Sequence, residues 1–371
     1  MKKTLFGLLL LCLPFLWACG DREQFVFEPL SHAELLRTCR GEGWTGVEVL
    51  DAWHPGHVLH RYLLVPRGAD VPAGLPEGTL VRTPLERAVL FSSVHAALLA
   101  DLRALNAAGG VCDAAYVLHD TLRRCLADGR LADMGSSVQP DMERLARLRP
   151  DALWVSPFEN AGYGALETLD VPIIECADYM ETSALGRAEW MKFYGMLVGR
   201  EAEADSLFAE VERSYRELAE LAARADRHPS LLCDVKQGSA WYVPAGNSYL
   251  GRLFADAGAR YLFAGRSGQG SVALSYETVF AEGHDADVWI VKYGRSVPYT
   301  YASLVQDFPS YAAFRPWKER RIFGCNTYEI PFYEEVPFHP DRLLRDMVEV
   351  LHPGLLPGHA LRYYRPLAAG E

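Results

Sequence analysis

The stretch Arg200–Ala225 constrains this chain more than any other. Its apolar residues fall at Ala204, Leu207, Phe208, Val211, Tyr215, Leu218 and Ala222, the three-and-four spacing of one stripe on an amphipathic helix. Glu201, Glu203 and Asp205 crowd the first turn and Arg224 and Arg227 the last, as the helix dipole favours, and Pro229 closes the segment. Such a helix reaches roughly 35–40 Å, about the width of a small domain. Strand-then-helix units stand on both sides of it. One long helix between two such sets predicts an α/β protein of two lobes, each of parallel-sheet α/β units, bridged by the helix with a cleft between them. A peripheral helix on a single α/β domain is the plainer alternative.

A chain of 371 residues is long enough for two cores, and half of it is hydrophobic. The N-terminus reads as a leader: Met1-Lys2-Lys3, an apolar run Leu5–Trp17, then Ala18-Cys19-Gly20. The apolar run is short for a membrane span. A cysteine at its end matches a bacterial lipoprotein signal over 1–18, cut before Cys19, which then carries the lipid; plain secretion is the alternative. Losing Lys2 and Lys3 takes the formal charge from −11 to −13. That balance, with no basic run, argues against nucleic acid as a partner.

Residues 19–30 read as a tether. Residues 31–86 form an N-terminal extension of unassigned role. In it, Ser31-His32-Ala33-Glu34 resembles a capping box opening a short helix, and Val47–Trp53 and His60–Pro66 read as strands. The first lobe spans 87–182, with strands at Ala88–Ser92, Gly109–Val111, Ala152–Val155 and Val171–Glu175. Its helices fall at Val94–Leu105 (capped by Ser93), Met142–Leu148 and Ala165–Leu169. A helical segment, 183–228, holds the bridging helix. The second lobe, 229–371, has strands at Leu231–Lys236, Trp241–Val243, Asp287–Lys292 and Arg321–Cys325, and helices at Tyr249–Ala257, Ser275–Ala281 and Asp341–Leu351.

In parallel sheets, ligands bind beyond the carboxyl ends of the strands. In the first lobe those ends offer Tyr116, Phe158, Glu159, Asn160 and Tyr179. In the second they offer Trp241, Tyr242, Lys292, Tyr293, Asn326, Tyr328 and Tyr333. Rings clustered with a few polar groups suit a pocket better than a core. Cations are few, chiefly Lys292 and Arg295. Such a pocket disfavours a polyanionic ligand.

The segments Ala88–Leu99, Gly110–Asp113, Met142–Ser156, Val171–Glu175, Gly195–Ala204 and Gly251–Ala259, taken in order, resemble the substrate-binding proteins of bacterial ABC importers for iron–siderophores, haem and vitamin B12. The resemblance spans roughly residues 85 to 350 and implies two lobes joined by one long helix. It implies a monomer, anchored here by its lipid in the cell envelope, periplasmic or outer-membrane-associated. Its partners would be the permease and ATPase subunits of the importer and a metal-chelate ligand (corrinoid, haem or ferric siderophore), with no cofactor and no resident metal. Of these ligands, the few cations lead us to expect a corrinoid or haem to bind more tightly than a polyanionic ferric siderophore. It places Glu143 and Glu277 at the tips of the lobes, where the family's glutamates dock on arginine pockets of the permease. Each also sits in the first turn of its helix, where dipole complementarity alone would suit it.

The enzyme motifs are missing: no His-Glu-x-x-His, no phosphate loop and no Cys-x-x-Cys. Gly41–Gly46 matches a dinucleotide fingerprint by letter but precedes a strand, and Gly265–Gln269 fails the nucleophile-elbow spacing. The expectation is a non-enzymatic binder. A chelatase-like enzyme on the same scaffold, which would need a His/Glu pair in the cleft, and a surface interaction lipoprotein remain alternatives; His95, at a strand end, is the histidine to watch. Six cysteines lie beyond the leader and Cys19, with Cys112–Cys125 the favoured bridge among fifteen pairings.

Overall fold

The computed structural model describes residues 25–268 and 270–370; Cys19 and the leader lie outside them. Five strands come from the N-terminal extension: β1 (Glu28–Pro29), β2 (Leu36–Gly41), β3 (Trp44–Leu50), β4 (Val58–Pro66) and β5 (Thr79–Thr83). They form one sheet in sequence order, antiparallel except for the parallel pair β4–β5. Alternation sorts its faces. Val47, Val49, Tyr62 and Leu64 enter the main core, while Trp44, Leu63 and Val65 form a smaller cluster covered by Phe25 and Leu75.

The first lobe holds β6 (Ala88–Leu90), β7 (Ala108–Val111), β8 (Ala132–Asp133), β9 (Ala152–Val155) and β10 (Ile173–Glu175), all parallel in the order β10-β9-β6-β7-β8. The second lobe holds β11 (Ser230–Cys233), β12 (Lys236–Gln237), β13 (Ala240–Pro244), β14 (Arg260–Tyr261), β15 (Ser271–Leu274), β16 (Val288–Tyr293), β17 (Ile322–Asn326) and β18 (Arg365–Pro366). Its main sheet runs β14-β11-β16-β17-β18, parallel save for β18, and β12-β13-β15 form a small antiparallel sheet beside it. Strands such as β9 (Ala-Leu-Trp-Val) and β16 (Val-Trp-Ile-Val) are continuous apolar runs because helices cover both faces of a parallel sheet.

The bridging helix is Glu201–Ala223 and buries Ala204, Phe208, Val211, Tyr215, Leu218 and Ala222, the expected stripe with Leu207 at its half-exposed margin. It packs on the helices Met191–Leu197 and Pro340–Leu351. A Cβ at Gly195 would stand 2.6 Å from Ala204 Cβ, so only glycine allows that close crossing. Among the described residues, no helix is long and apolar enough to cross a membrane.

Four local expectations are corrected. Ser31–Leu35 is not helical: its backbone N–H groups are taken by two buried carboxylates instead of by a helical turn. Glu189 accepts from Ser31, His32 and Ala33 (3.3, 2.7 and 2.9 Å), and Glu181 from Glu34 and Leu35 (both 3.0 Å). The helix after β6 is capped by Ser92, whose Oγ accepts from Val94 N–H, not by Ser93. Residues 164–169 make a 3-10 turn. All six cysteines in the described residues are free, Cys112 and Cys125 as separate buried thiols.

Candidate functional site

Two cavities lie between the lobes. Ser93, Tyr116 and Arg123 of the first lobe face Tyr328, Phe332, Tyr333 and Glu334 of the second across a space of about 510 Å³. A second space, about 610 Å³, lies between Phe158, Glu159, Tyr179 and Thr182 of the first lobe and Asn247, Ser248, Tyr249 and Gly268 of the second. A third, about 620 Å³, opens within the first lobe around Val138, Met142, Ser156 and Tyr163, and Phe158 borders both it and the second space. Each lobe therefore contributes walls from the loops that follow its parallel strands, as the open-sheet rule requires.

Buried polar ties hold the lobes in register beneath this cleft. The Glu334 carboxylate, from the second lobe, accepts from Leu118 N–H (3.1 Å) and His119 N–H (2.7 Å) of the first. His339 pairs with Asp101 at 2.9 Å. A further buried cluster joins the first lobe to the helical segment: Asp178, just beyond β10 and 2% exposed, accepts from His95 Nε2 (2.9 Å), Tyr194 OH (2.8 Å) and Arg187 Nε (3.1 Å). Burial opposes charge on both members of the His95–Asp178 pair. Cys176 and Asp178 nonetheless hold the imidazole up at about 10, and His95, with Arg187 and Tyr194, holds the carboxylate down at about 2. The Arg187 guanidinium then lies 5.6 Å over the ring of Tyr249, which lines the second space.

The expected residues divide into three groups. Tyr116, Tyr328 and Tyr333 line the first space; Phe158, Glu159 and Tyr179 line the second. Tyr242 and Asn160 are exposed and line neither space. Lys292 sits with Nζ 5.3 Å from the Phe332 ring and 5.4 Å from Tyr333; burial works against its charge, but Asp234 and the tyrosines raise its pKa. Tyr293 is half-buried and its hydroxyl accepts from Tyr299 N–H.

Two expectations fail on burial. Trp241 is fully enclosed: Nε1 donates to Cys233 O (2.9 Å) and the ring packs on Trp289, Tyr311 and Phe314, because strand alternation turns Tyr242 outward and Trp241 inward. Asn326, 4% exposed, spends its amide on the loop after β16, accepting from Arg295 N–H and donating to Arg295 O. His95 likewise points into the core and not into the cleft. Sequence reasoning missed Trp53, Arg123, Asn247 and Glu334. Trp53 was discoverable: it stands two residues after an aspartate, in a turn rich in Pro and Gly.

Glu143 and Glu277 are both exposed in the first turns of their helices, capped by Asp141 and Ser275 respectively. Glu143 also pairs with Arg147 one turn on, at 2.6 Å.

A family model described as periplasmic binding protein matches residues 93–328, well over half of the chain. The chain belongs to the periplasmic binding protein family. A lipoprotein of Methanocaldococcus jannaschii is 24% identical over 352 residues, covering 90% of this chain and 81% of the relative. Among solved structures, a periplasmic haem-binding protein from Pseudomonas aeruginosa superposes with a TM-score of 0.59 at 18% identity, covering 77% of this chain and 99% of its own. An ABC-type Fe3+-hydroxamate transport protein from Saccharomonospora viridis gives 0.57 at 17%, covering 72% and 94%. These neighbours share the two-lobed α/β fold. As a periplasmic binding protein, this chain carries the family match from the Ser93 helix to Tyr328, so every wall of the first space up to that residue lies inside it.

Proposed function

We propose that the protein is a lipid-anchored, monomeric binding component of an ABC importer, capturing a metal chelate between its lobes and passing it on without covalent chemistry. One observation carries this reading. Large apolar side chains are exposed at the cleft on both sides: Tyr116 (74%) and Phe158 (67%) on the first lobe, Tyr328 (58%) and Tyr333 (55%) on the second. Rings left in water on facing walls suit a bulky, largely apolar ligand more than they suit folding. Arg123 is the one basic residue lining either interlobe space among the described residues, and Lys292 is screened by two rings. That scarcity favours a corrinoid or haem over a polyanionic ferric siderophore.

In this reading, Cys19 carries the lipid, holding the protein at the cell envelope, and Glu143 and Glu277 dock on the importer's permease, whose ATPase drives release. The absorbance spectrum of the protein as purified tests the ligand class directly. Calorimetric titration with haemin, cyanocobalamin and a ferric catecholate then ranks the affinities. Tight binding of the catecholate with no response to the other two would overturn the preference. The neighbours' ligands give no ranking, since at such identities they inform the fold alone.

A further inference from the structure

The N-terminal sheet lies wholly outside the matched segment 93–328, yet one of its loops reaches the cleft. We propose that this sheet forms a third wall of the cargo site, with Trp53 as a cargo-contacting ring. The proposal rests on the binding reading above and extends it to a part of the chain that the family model does not cover.

The loop between β3 and β4 is built by one aspartate. Asp51 Oδ1 accepts from Trp53 N–H (2.8 Å) and His54 N–H (3.0 Å), and its Oδ2 pairs with His54 Nδ1 (3.0 Å). This is an Asx turn: it satisfies the backbone locally and makes no use of the indole. Two further ties fix where the loop stands. Tyr62 OH, on β4, donates to Ile173 O (2.9 Å) and accepts from Glu175 N–H (2.8 Å), stitching the sheet to β10. The chain beyond β10 then supplies Tyr179 and Thr182 to the second interlobe space, and Ala52 and Trp53 border that same space. Glu181, which also borders it, is the carboxylate that grips Glu34 and Leu35.

Trp53 thus faces Phe158 and Tyr179 of one lobe and Tyr249 of the other across a space of about 610 Å³, with its indole half-exposed. A large ring on a loop already ordered by backbone bonds gives up little freedom on taking a ligand. The charged side chains lining this space are Glu159 and Glu181, both acidic. The ligand portion that fits is flat or ring-bearing with a neutral or cationic edge, not a polyanion.

The test uses the full mature chain and three probes: haemin, cyanocobalamin and ferrioxamine B. Affinity is read by calorimetry, so that the loss of a tryptophan does not alter the signal, and circular dichroism confirms folding. For a probe that the wild type binds, Trp53→Ala should weaken affinity tenfold or more, and Trp53→Phe less than threefold. Hydrogen exchange should show protection of amides 52–54 together with 158–160 when that probe is added. Affinity within twofold of wild type in Trp53→Ala, while Phe158→Ala weakens it, would overturn the third wall and leave the binding reading standing. Unchanged affinity in Trp53→Ala, Phe158→Ala and Tyr116→Ala alike would overturn both.

Discussion

Replacing Glu189 should release the N-terminal segment from the body of the protein. Its side chain is fully buried and accepts from three consecutive backbone N–H groups and from Lys192 Nζ at 2.8 Å. In Glu189→Ala these donors do not suffer equally. Ser31 and His32 are partly exposed, so water recovers much of their loss, whereas Ala33 is 3% exposed and its N–H is stranded. A stranded buried donor costs about 1–3 kcal/mol, and the two partly wet, charge-assisted bonds add about 1 more, giving about 2–4 kcal/mol. Lys192 keeps the face of Phe208, 4.4 Å away, and adds little. Such a loss is a sizeable share of the about 5–15 kcal/mol that holds a domain, so residues 31–35 should open locally before the whole unfolds.

Hydrogen exchange at amides 31–35 and urea unfolding read the two effects separately. Burial opposes the Glu189 charge, but Lys192 and the N–H groups of Ala33 and His32 hold its pKa below the usual glutamate range. Its contribution is therefore complete above the unfolded value of about 4.3 and is lost as pH falls through the folded one. The gap between wild type and Glu189→Gln should narrow in acid. Unchanged exchange at 31–35 in Glu189→Ala, with an unmoved urea midpoint, would show that the carboxylate does not hold this segment.

Glu143→Arg and Glu277→Arg should each reduce uptake in a transport assay with ligand affinity unchanged, and more severely than the alanine variants, because reversal sets like charges together; loss of ligand binding in either, with the fold intact, would refute the docking role. Cys19→Ser should move the protein from the membrane pellet to the soluble fraction, and a variant that still pellets would refute the anchor. His95→Gln should cost about 1.5–3 kcal/mol near pH 5, because Asp178 loses one of its two cationic partners and keeps only Arg187 and Tyr194. The imidazole is held at about 10, so its contribution is full below about 6.5 and fades as pH rises through the folded value, and urea unfolding should find a smaller cost near pH 9.5. Equal costs at both pH values would contradict the assignment.

The parallel sheets were legible because burial on both faces writes strands as unbroken apolar runs, and the bridging helix because its stripe has a single period. Met142–Leu148 and Ala152–Val155 coincide with their expected bounds. What was not legible depends on partners distant in sequence. Ser31–Leu35 carries a genuine helix-start pattern, but two carboxylates about 150 residues away bind its N–H groups better than a helical turn would. Trp241 and Tyr242 are adjacent rings at a strand end, and composition cannot say which faces inward. Pairing with β15 decides it. The turn that carries Trp53 was legible from Asp51 and the Pro-Gly pair, but its reach to the cleft was not, because its neighbours there come from both lobes.

The same device recurs at several junctions between distant parts of the chain. Glu189 and Glu181 grip the N-terminal segment, Glu334 ties Leu118 and His119 of the opposite lobe, and Asp346 receives the N–H groups of Arg362, Tyr363 and Tyr364. Each is a buried carboxylate whose removal strands main-chain donors, so each junction is hard to open. This bears on how cargo would be released. Swinging the lobes apart would pull Glu334 from both of its N–H partners, separate His339 from Asp101, and expose part of a core that runs through both lobes. At about 1.5–3 kcal/mol for each bond to a charged group, a wide hinge motion is unfavourable without outside work. Modest shifts of the exposed rims, where Tyr116, Phe158 and Tyr328 have no such ties through their side chains, demand far less. Release from a frame of this kind is best driven by a docked partner that displaces the rims while the junctions stay closed. On that account Asp101→Asn, which weakens the tie to His339 and lines neither interlobe space, should lower the urea midpoint while leaving the rate of ligand dissociation from the free protein unchanged. Dissociation that speeds as the midpoint falls would show that the junctions, and not the rims, govern release.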